Sequence, residues 1–201
     1  MKKLFYLYTN PRFLEELYTP VMKEAFDRCE DVQVSFVLDT SILDETLQNG
    51  AIPTPGVQKR MKRIVENCVE AGADCIVVGC TAVNLATEEL RKRNSIPIIS
   101  VDRPMIQEIV RDGRRKAAVL SHSAVNAKTV GRMLESCGIK HEVFVTDHFL
   151  ETALGLSEEF DAIALGHITA DRIAFDGVKT PIYRSGVSCV KEIKRVLGGC
   201  I

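Results

Sequence analysis

Asp74-Cys75-Ile76-Val77-Val78-Gly79-Cys80-Thr81 decides how this chain is read. Its centre is a short, almost unbroken apolar run, as required of a strand covered on both faces in a parallel sheet. A glycine then ends the run before a thiol and a hydroxyl. The pattern returns 87 residues later as Asp161-Ala162-Ile163-Ala164-Leu165-Gly166-His167-Ile168. A Pro-Ile pair follows each copy after nearly the same interval, Pro97-Ile98 and Pro181-Ile182. More loosely, Lys3 to Asn10 lies over Lys116 to Ser123, one apolar strand and polar mouth over another.

Working outward, apolar runs alternate with segments of helical spacing. The strands expected are Lys3 to Tyr8, Val32 to Leu38, Cys75 to Gly79, Ile96 to Val101, Ala117 to Leu120, His141 to Thr146, Asp161 to Leu165 and Pro181 to Tyr183. Helical patterns cover Phe13 to Cys29, Val57 to Ala71, Val83 to Arg93, Pro104 to Arg111, Val125 to Cys137, a weaker segment through Leu156, and Val187 to Leu197. Asn49 to Gly56 reads as a turn-rich linker. Such alternation predicts an α/β fold: two pseudo-symmetric halves with mainly parallel sheets flanked by helices. It forms one domain over residues 1–201, with lobes at 1–100 plus the C-terminal helix and at 101–185. A duplication brings Cys80 and His167 to equivalent strand ends, so the expected active site is a cleft between the halves, outside those carboxyl ends.

Composition limits the function classes. The 201 residues carry 26 basic and 27 acidic side chains, so there is no electrostatic footprint for nucleic acid. The short cluster of Arg111, Arg114, Arg115 and Lys116 reads as a solvated helix end. No stretch approaches the roughly 20 apolar residues of a membrane span, and the first residues lack a secretory pattern, so a soluble, cytoplasmic protein is expected. Seven scattered cysteines, with no CxxC pair, propose neither a disulfide framework nor a zinc site. Cys29, Cys68, Cys75 and Cys137 are expected to be small buried hydrophobes, and Cys189, within an apolar-periodic stretch, to pack. Nucleotide fingerprints are missing, and the site is expected to work without cofactor or metal.

Cys80 is the first candidate for chemistry. It follows a buried strand and a glycine and precedes a helix, whose amides and dipole favour a thiolate that serves as base or nucleophile. His167 is the second candidate, because imidazole titrates near neutral pH; His122 and His148, near other strand mouths, compete for that role, while His141 is expected at the surface. Thr9, Asn10, Thr81, Asn84, Ser121 and Ser123 offer hydroxyls and amides at strand ends that suit a small carboxylate, although the same residue types also cap helices.

At Val78-Gly79-Cys80-Thr81-Ala82 the chain resembles the aspartate/glutamate racemase superfamily, with its hydantoin racemase, maleate isomerase and arylmalonate decarboxylase relatives. The resemblance continues through Ile96 to Asp102, Ala117 to Ser123, Asp161 to Gly166, Pro181-Ile182 and the last helix. It implies cofactor-independent chemistry at the carbon next to a carboxylate of a small amino or hydroxy acid, and admits a homodimer. Racemases of this group place one cysteine from each half across the substrate, one removing the α-proton and the other returning a proton to the opposite face; the first maps to Cys80. The family's second motif usually reads Leu-Gly-Cys-Thr-His. This chain has Leu165-Gly166-His167-Ile168-Thr169, which puts His167 at the second cysteine and Thr169 at the histidine. Three outcomes follow: a Cys-His racemase or epimerase, a decarboxylase or cis/trans isomerase using Cys80 alone, or a non-catalytic small-carboxylate binding protein.

Overall fold

The computed structural model describes residues 1–11, 24–26, 29, 31–156 and 158–198. Most of the helix expected over Phe13 to Cys29 therefore lies outside the described residues; Glu24–Phe26 within it is helical and is taken as α1. The chain divides into two compact units, residues 1–101 with 190–201, and residues 102–189.

The first unit contains β1 (Lys2–Tyr8), β2 (Val32–Leu38), α2 (Thr40–Gln48), α3 (Pro55–Glu70), β3 (Cys75–Val78), a 3₁₀ turn (Thr81–Val83), α4 (Asn84–Arg93) and β4 (Ile98–Ser100). The second contains α5 (Arg103–Arg111), β5 (Lys116–Ser121), α6 (Ala124–Ser136), β6 (Lys140–Val145), α7 (Phe149–Leu156), β7 (Ala162–Leu165), a 3₁₀ turn (Ile168–Arg172) and β8 (Ile182–Arg184). Helix α8 (Ser185–Leu197) is divided between them, its residues through Cys189 belonging to the second unit and those from Val190 to the first. The sheets run β2-β1-β3-β4 and β6-β5-β7-β8, and every pairing is parallel.

The repeat holds hydrogen bond for hydrogen bond. Asp74 N–H donates to Lys3 O at 2.9 Å, and Asp161 N–H donates to Lys116 O at 3.0 Å. Gly79 N–H donates to Leu7 O at 3.0 Å, as Gly166 N–H does to Leu120 O at 2.8 Å. Ile76 N–H and Ile163 N–H reach the carbonyls of Pro97 and Pro181 at 3.0 and 2.9 Å. Even the aspartate that opens each motif acts alike, since Asp74 Oδ2 accepts from Lys3 N–H at 2.8 Å and Asp161 Oδ1 from Lys116 N–H at 3.0 Å. Each carboxylate thus fixes the register of its motif strand against the central strand before it.

Burial explains the apolar runs. All four residues of β3 and of β7 are buried, whereas the edge strands β2 and β6 alternate half-buried and exposed positions. In the second unit Ala117, Val119, Ala162 and Ala164 pack with Met105, Ile106 and Ile109 of α5 and with Ala127, Val130 and Leu134 of α6. The other sheet face, Ala118, Leu120, Ile163 and Leu165, packs with Phe149 and Ala153 of α7, and with Phe160 and Ala170. Such side chains contribute roughly 1.5–3 kcal/mol each when they are fully buried and large.

One helix was not foreseen, and two expectations are corrected. The segment before the linker is helical: α2 is capped by Asp39, whose carboxylate accepts from Ser41 N–H at 3.0 Å, and buries Ile42 and Thr46. Cys137 is exposed because it sits at the C-cap of α6, beyond the stripe of Ala127, Val130 and Leu134 that faces the sheet. His141 is half-buried, fitting where Gly131 of α6 has no side chain; a Cβ there would lie 2.7 Å from His141 Nε2.

Candidate functional site

Cys80 follows β3 by two residues and is 6% exposed. Its backbone is extended (φ −124°, ψ 111°) and leads into the 3₁₀ turn, and α4 starts four residues after it, at Asn84, one residue from the Val83 expected. The sulfur therefore meets a short turn first, and the dipole of a full helix acts from further off. On the neighbouring strand β1, Thr9 lies just past Tyr8 and is 1% exposed; among the described residues its hydroxyl has no hydrogen-bond partner. Asn10, next along, is half-buried. Thr81 and Asn84 are buried, and Asn84 Oδ1 accepts from Ser100 Oγ, at the end of β4, at 2.7 Å. The paired strands β1 and β3 thus run out to Thr9 and Cys80, and Thr81 and Asn84 follow in the turn and the first residue of α4.

Among the described residues, Cys68 and Cys75 are the other buried thiols of this unit. Burial, followed by the charges of Glu192 and Asp74, pushes Cys75 up to about 12, and burial also raises Cys68. Neither is a nucleophile at neutral pH, which agrees with a packing role.

His167 occupies the place of Cys80 in the second unit, ahead of the turn Ile168–Arg172, and is 6% exposed. Thr169 N–H donates to its Nδ1 at 3.3 Å, and Thr169 Oγ1 lies 2.7 Å from the same nitrogen. A backbone amide only donates, so Nδ1 is an acceptor, the threonine hydroxyl is a second donor, and the neutral ring carries its proton on Nε2. Burial, and then the neighbouring His122, lower the His167 pKa to about 4. The two rings lie 4.1 Å apart between centroids, with His122 exposed.

Ser121 and Ser123 hydrogen-bond within the second unit. Ser121 Oγ accepts from Ser123 N–H at 3.1 Å and reaches Gly166 O at 3.4 Å, while Ser123 Oγ caps α6 by accepting from Asn126 N–H at 3.3 Å. His148 is exposed and lies 3.4 Å from Glu151, one turn along.

Sequence reasoning missed a set of polar groups on and beside the turn that follows His167. Asp171, 8% exposed, closes the His167 turn; its Oδ2 accepts from Val187 N–H at 3.0 Å. Burial raises its pKa to about 7, against the amides of Val187 and Gly186 and the charge of Arg184, which favour the ionised form. Arg184 at the end of β8 donates to the carbonyls of Asp171 at 2.7 Å and Ile173 at 3.0 Å. Ser185 Oγ lies 2.8 Å from Asp102 Oδ1 and 2.9 Å from Leu165 O. The motif offset that pairs Cys80 with His167 also pairs Asn84 with Asp171, a signal available in the sequence.

Solved structures share this fold. An aspartate racemase homologue from Pyrococcus horikoshii OT3 superposes with a TM-score of 0.71 at 18% identity, covering 98% of this chain and 100% of that one. Glutamate racemase from Aquifex pyrophilus gives 0.61 at 18% identity, covering 97% and 83%. The maleate isomerase Iso from Pseudomonas putida S16 gives 0.61 at 14%, covering 98% and 92%. No curated protein matches by sequence. Among the described residues no helix is long and apolar enough to cross a membrane. The model of the Asp/Glu/Hydantoin racemase family matches residues 16–162, and the chain belongs to that family.

Proposed function

We propose that the protein is a cofactor-independent racemase or isomerase acting at the carbon next to the carboxylate of a small amino or hydroxy acid, with Cys80 as the base. The carrying observation is the position of Cys80: within the family match, it stands at the mouth of the buried strand β3, beside the strand that presents the buried Thr9 hydroxyl, unpartnered among the described residues. Removing an α-proton leaves an enolate-like species whose charge needs fixed donors away from water. In this reading Thr9, Thr81 and the amides after Cys80 supply them, with Asn10 and Asn84 shaping the carboxylate subsite and Ser121 and Ser123 fixing the equivalent loop of the second unit.

His167 is proposed as the second proton carrier. Its imidazolium, made scarce by burial at neutral pH, is a strong acid when it forms. Inversion is therefore expected to gain on simple exchange as pH falls. That same property favours a second reading, in which Cys80 works alone in one-sided exchange, decarboxylation or cis/trans isomerisation, and His167 serves as a hydrogen-bond donor through Nε2–H.

Proton NMR in heavy water, with D and L aspartate, glutamate and small hydroxy acids, tests the proposal. Loss of the α-proton signal that disappears in Cys80→Ala supports it, and accompanying inversion identifies a racemase. Exchange undiminished by Cys80→Ala, or none with any of these acids, overturns it. A non-catalytic carboxylate-binding protein would show saturable binding without exchange.

A further inference from the structure

We infer that Asp171 is a positioning residue for His167: its carboxyl ties the turn that carries the imidazole to the first amides of α8, and the ring's setting depends on that tie. This rests on the reading of His167 as a site residue. The contact is built from both sides. Asp171 Oδ2 accepts from Val187 N–H at 3.0 Å, and the Gly186 N–H donates to the same carboxyl. Gly186 is held so closely that a Cβ would lie 2.5 Å from Asp171 Oδ2 and 2.6 Å from Ile168 Cγ1, so only glycine admits both the acid and the turn's first residue. Oδ1 is buried and has no hydrogen-bond partner among the described residues.

Two further straps close the frame. Arg184 holds the far end of the turn through the carbonyls of Ala170, Asp171 and Ile173, at 3.4, 2.7 and 3.0 Å. Ser185 Oγ reaches Leu165 O, at the end of the strand that feeds the turn. The first unit makes the corresponding link with neutral groups, Ser100 Oγ donating to Asn84 Oδ1 at 2.7 Å. Only the second unit places an ionisable group there.

A tie through a carboxyl responds to pH where a tie through an amide does not. The groups facing Asp171 are the Arg184 guanidinium from β8, the Asp102 carboxyl ahead of α5, and the Gly186 and Val187 amides from α8. Arg184 and the amides favour the carboxylate; burial and Asp102 oppose it. Ionisation strengthens the amide contacts, and protonation weakens them.

Long-range proton–nitrogen NMR of the His167 ring in the full-length protein is the test. In His122→Asn protein, where no second imidazole faces the ring, the His167 nitrogen signals are expected to shift with a midpoint near pH 7, well above the ring's own titration near 4. Asp171→Asn keeps an acceptor and is expected to abolish that transition; Gly186→Ala is expected to shift or double the ring signals at every pH. Unchanged His167 signals in folded Asp171→Asn and Gly186→Ala protein overturn the inference. Should neither variant fold, absence of the transition near pH 7 in His122→Asn protein overturns it. No turnover is needed, so failure to find a racemised acid and failure of this tie are separate results.

Discussion

At the end of β3 the chain runs Gly79-Cys80-Thr81-Ala82-Val83-Asn84, and at the end of β7, in a sheet of the same strand order, Gly166-His167-Ile168-Thr169-Ala170-Asp171. The backbone hydrogen bonds around the two segments correspond, down to the aspartate that fixes each central strand. The side chains do not. One unit offers a thiol followed by a neutral Asn84–Ser100 link; the other offers an imidazole held by Thr169 and followed by a buried Asp171 and a half-buried Arg184. Scaffold and chemistry are specified by different atoms: main-chain bonds and apolar strands repeat the first, and a few positions after each glycine vary the second.

The sharpest break in the comparison is expected at the two equivalent positions themselves. Cys80→Ala removes the proposed base and should lower kcat/KM on the order of 10³-fold, the size of effect general-base removal has elsewhere. His167→Gln keeps a neutral hydrogen-bonding side chain and should cost much less in α-proton exchange, on the order of tenfold, while suppressing inversion. Exchange and inversion are both read by NMR in heavy water. Equal losses of exchange in the two variants would mean that the units contribute symmetrically.

Much of this was legible before any coordinates. A strand buried on both faces must be apolar throughout, so Cys75 to Val78 and Ala162 to Leu165 stood out, and glycine and proline marked their ends. The repeat then carried the parallel topology. Helix α2 was hidden because only Ile42 and Thr46 are buried along it, too few to show a helical period. Asp171 and Arg184 were hidden because charged residues are exposed by default; only their partners, amides and carbonyls distant in sequence, explain their place. Ser123 was legible only as an alternative, since a helix cap and a carboxylate ligand call for the same residue type.

Stability against pH separates the units next. His167 titrates near 4 when folded, below its ordinary 6.5, so the stability it lends is present above pH 6.5 and is lost as pH falls towards 4. Asp171 titrates near 7 when folded, above its ordinary 3.8, so its contribution is present below pH 3.8 and is lost as pH rises through 7. Each is worth on the order of 3 kcal/mol across its window, and the two slopes oppose one another between about pH 4 and 6.5. Thermal melts of His167→Gln should lose stability with rising pH through that window, and those of Asp171→Asn should gain it. Matching slopes in the two variants would show that one of these groups is not buried as described. Asn84 and Ser100, at the corresponding place in the first unit, carry no ionisable group, so substitutions there should not alter these slopes.

The smallest expected difference concerns the two motif glycines, and it measures how far the shared scaffold extends into packing. A Cβ on Gly79 would lie 2.8 Å from Tyr6 Cε1 and 3.3 Å from Tyr8 Cε1. Those rings are nearly inaccessible and stacked at 4.7 Å between centroids, so neither has room to turn aside. Gly79→Ala should therefore cost about 1–3 kcal/mol through overpacking. A Cβ on Gly166 meets Ser121 Cβ and Val119 Cγ1 at 3.4 Å, an ordinary contact. Gly166→Ala should change stability by no more than about 0.5 kcal/mol. Tyr6 and Tyr8 in the first unit stand where Val119 and Ser121 stand in the second, when Lys3 is laid over Lys116. If urea unfolding shows the two substitutions to be equally costly, the glycines are held by the backbone geometry that the repeats share. A costly Gly79→Ala beside a silent Gly166→Ala would place the requirement in the aromatic pair, so that glycine is demanded in the first unit by its neighbours and in the second by no side-chain contact.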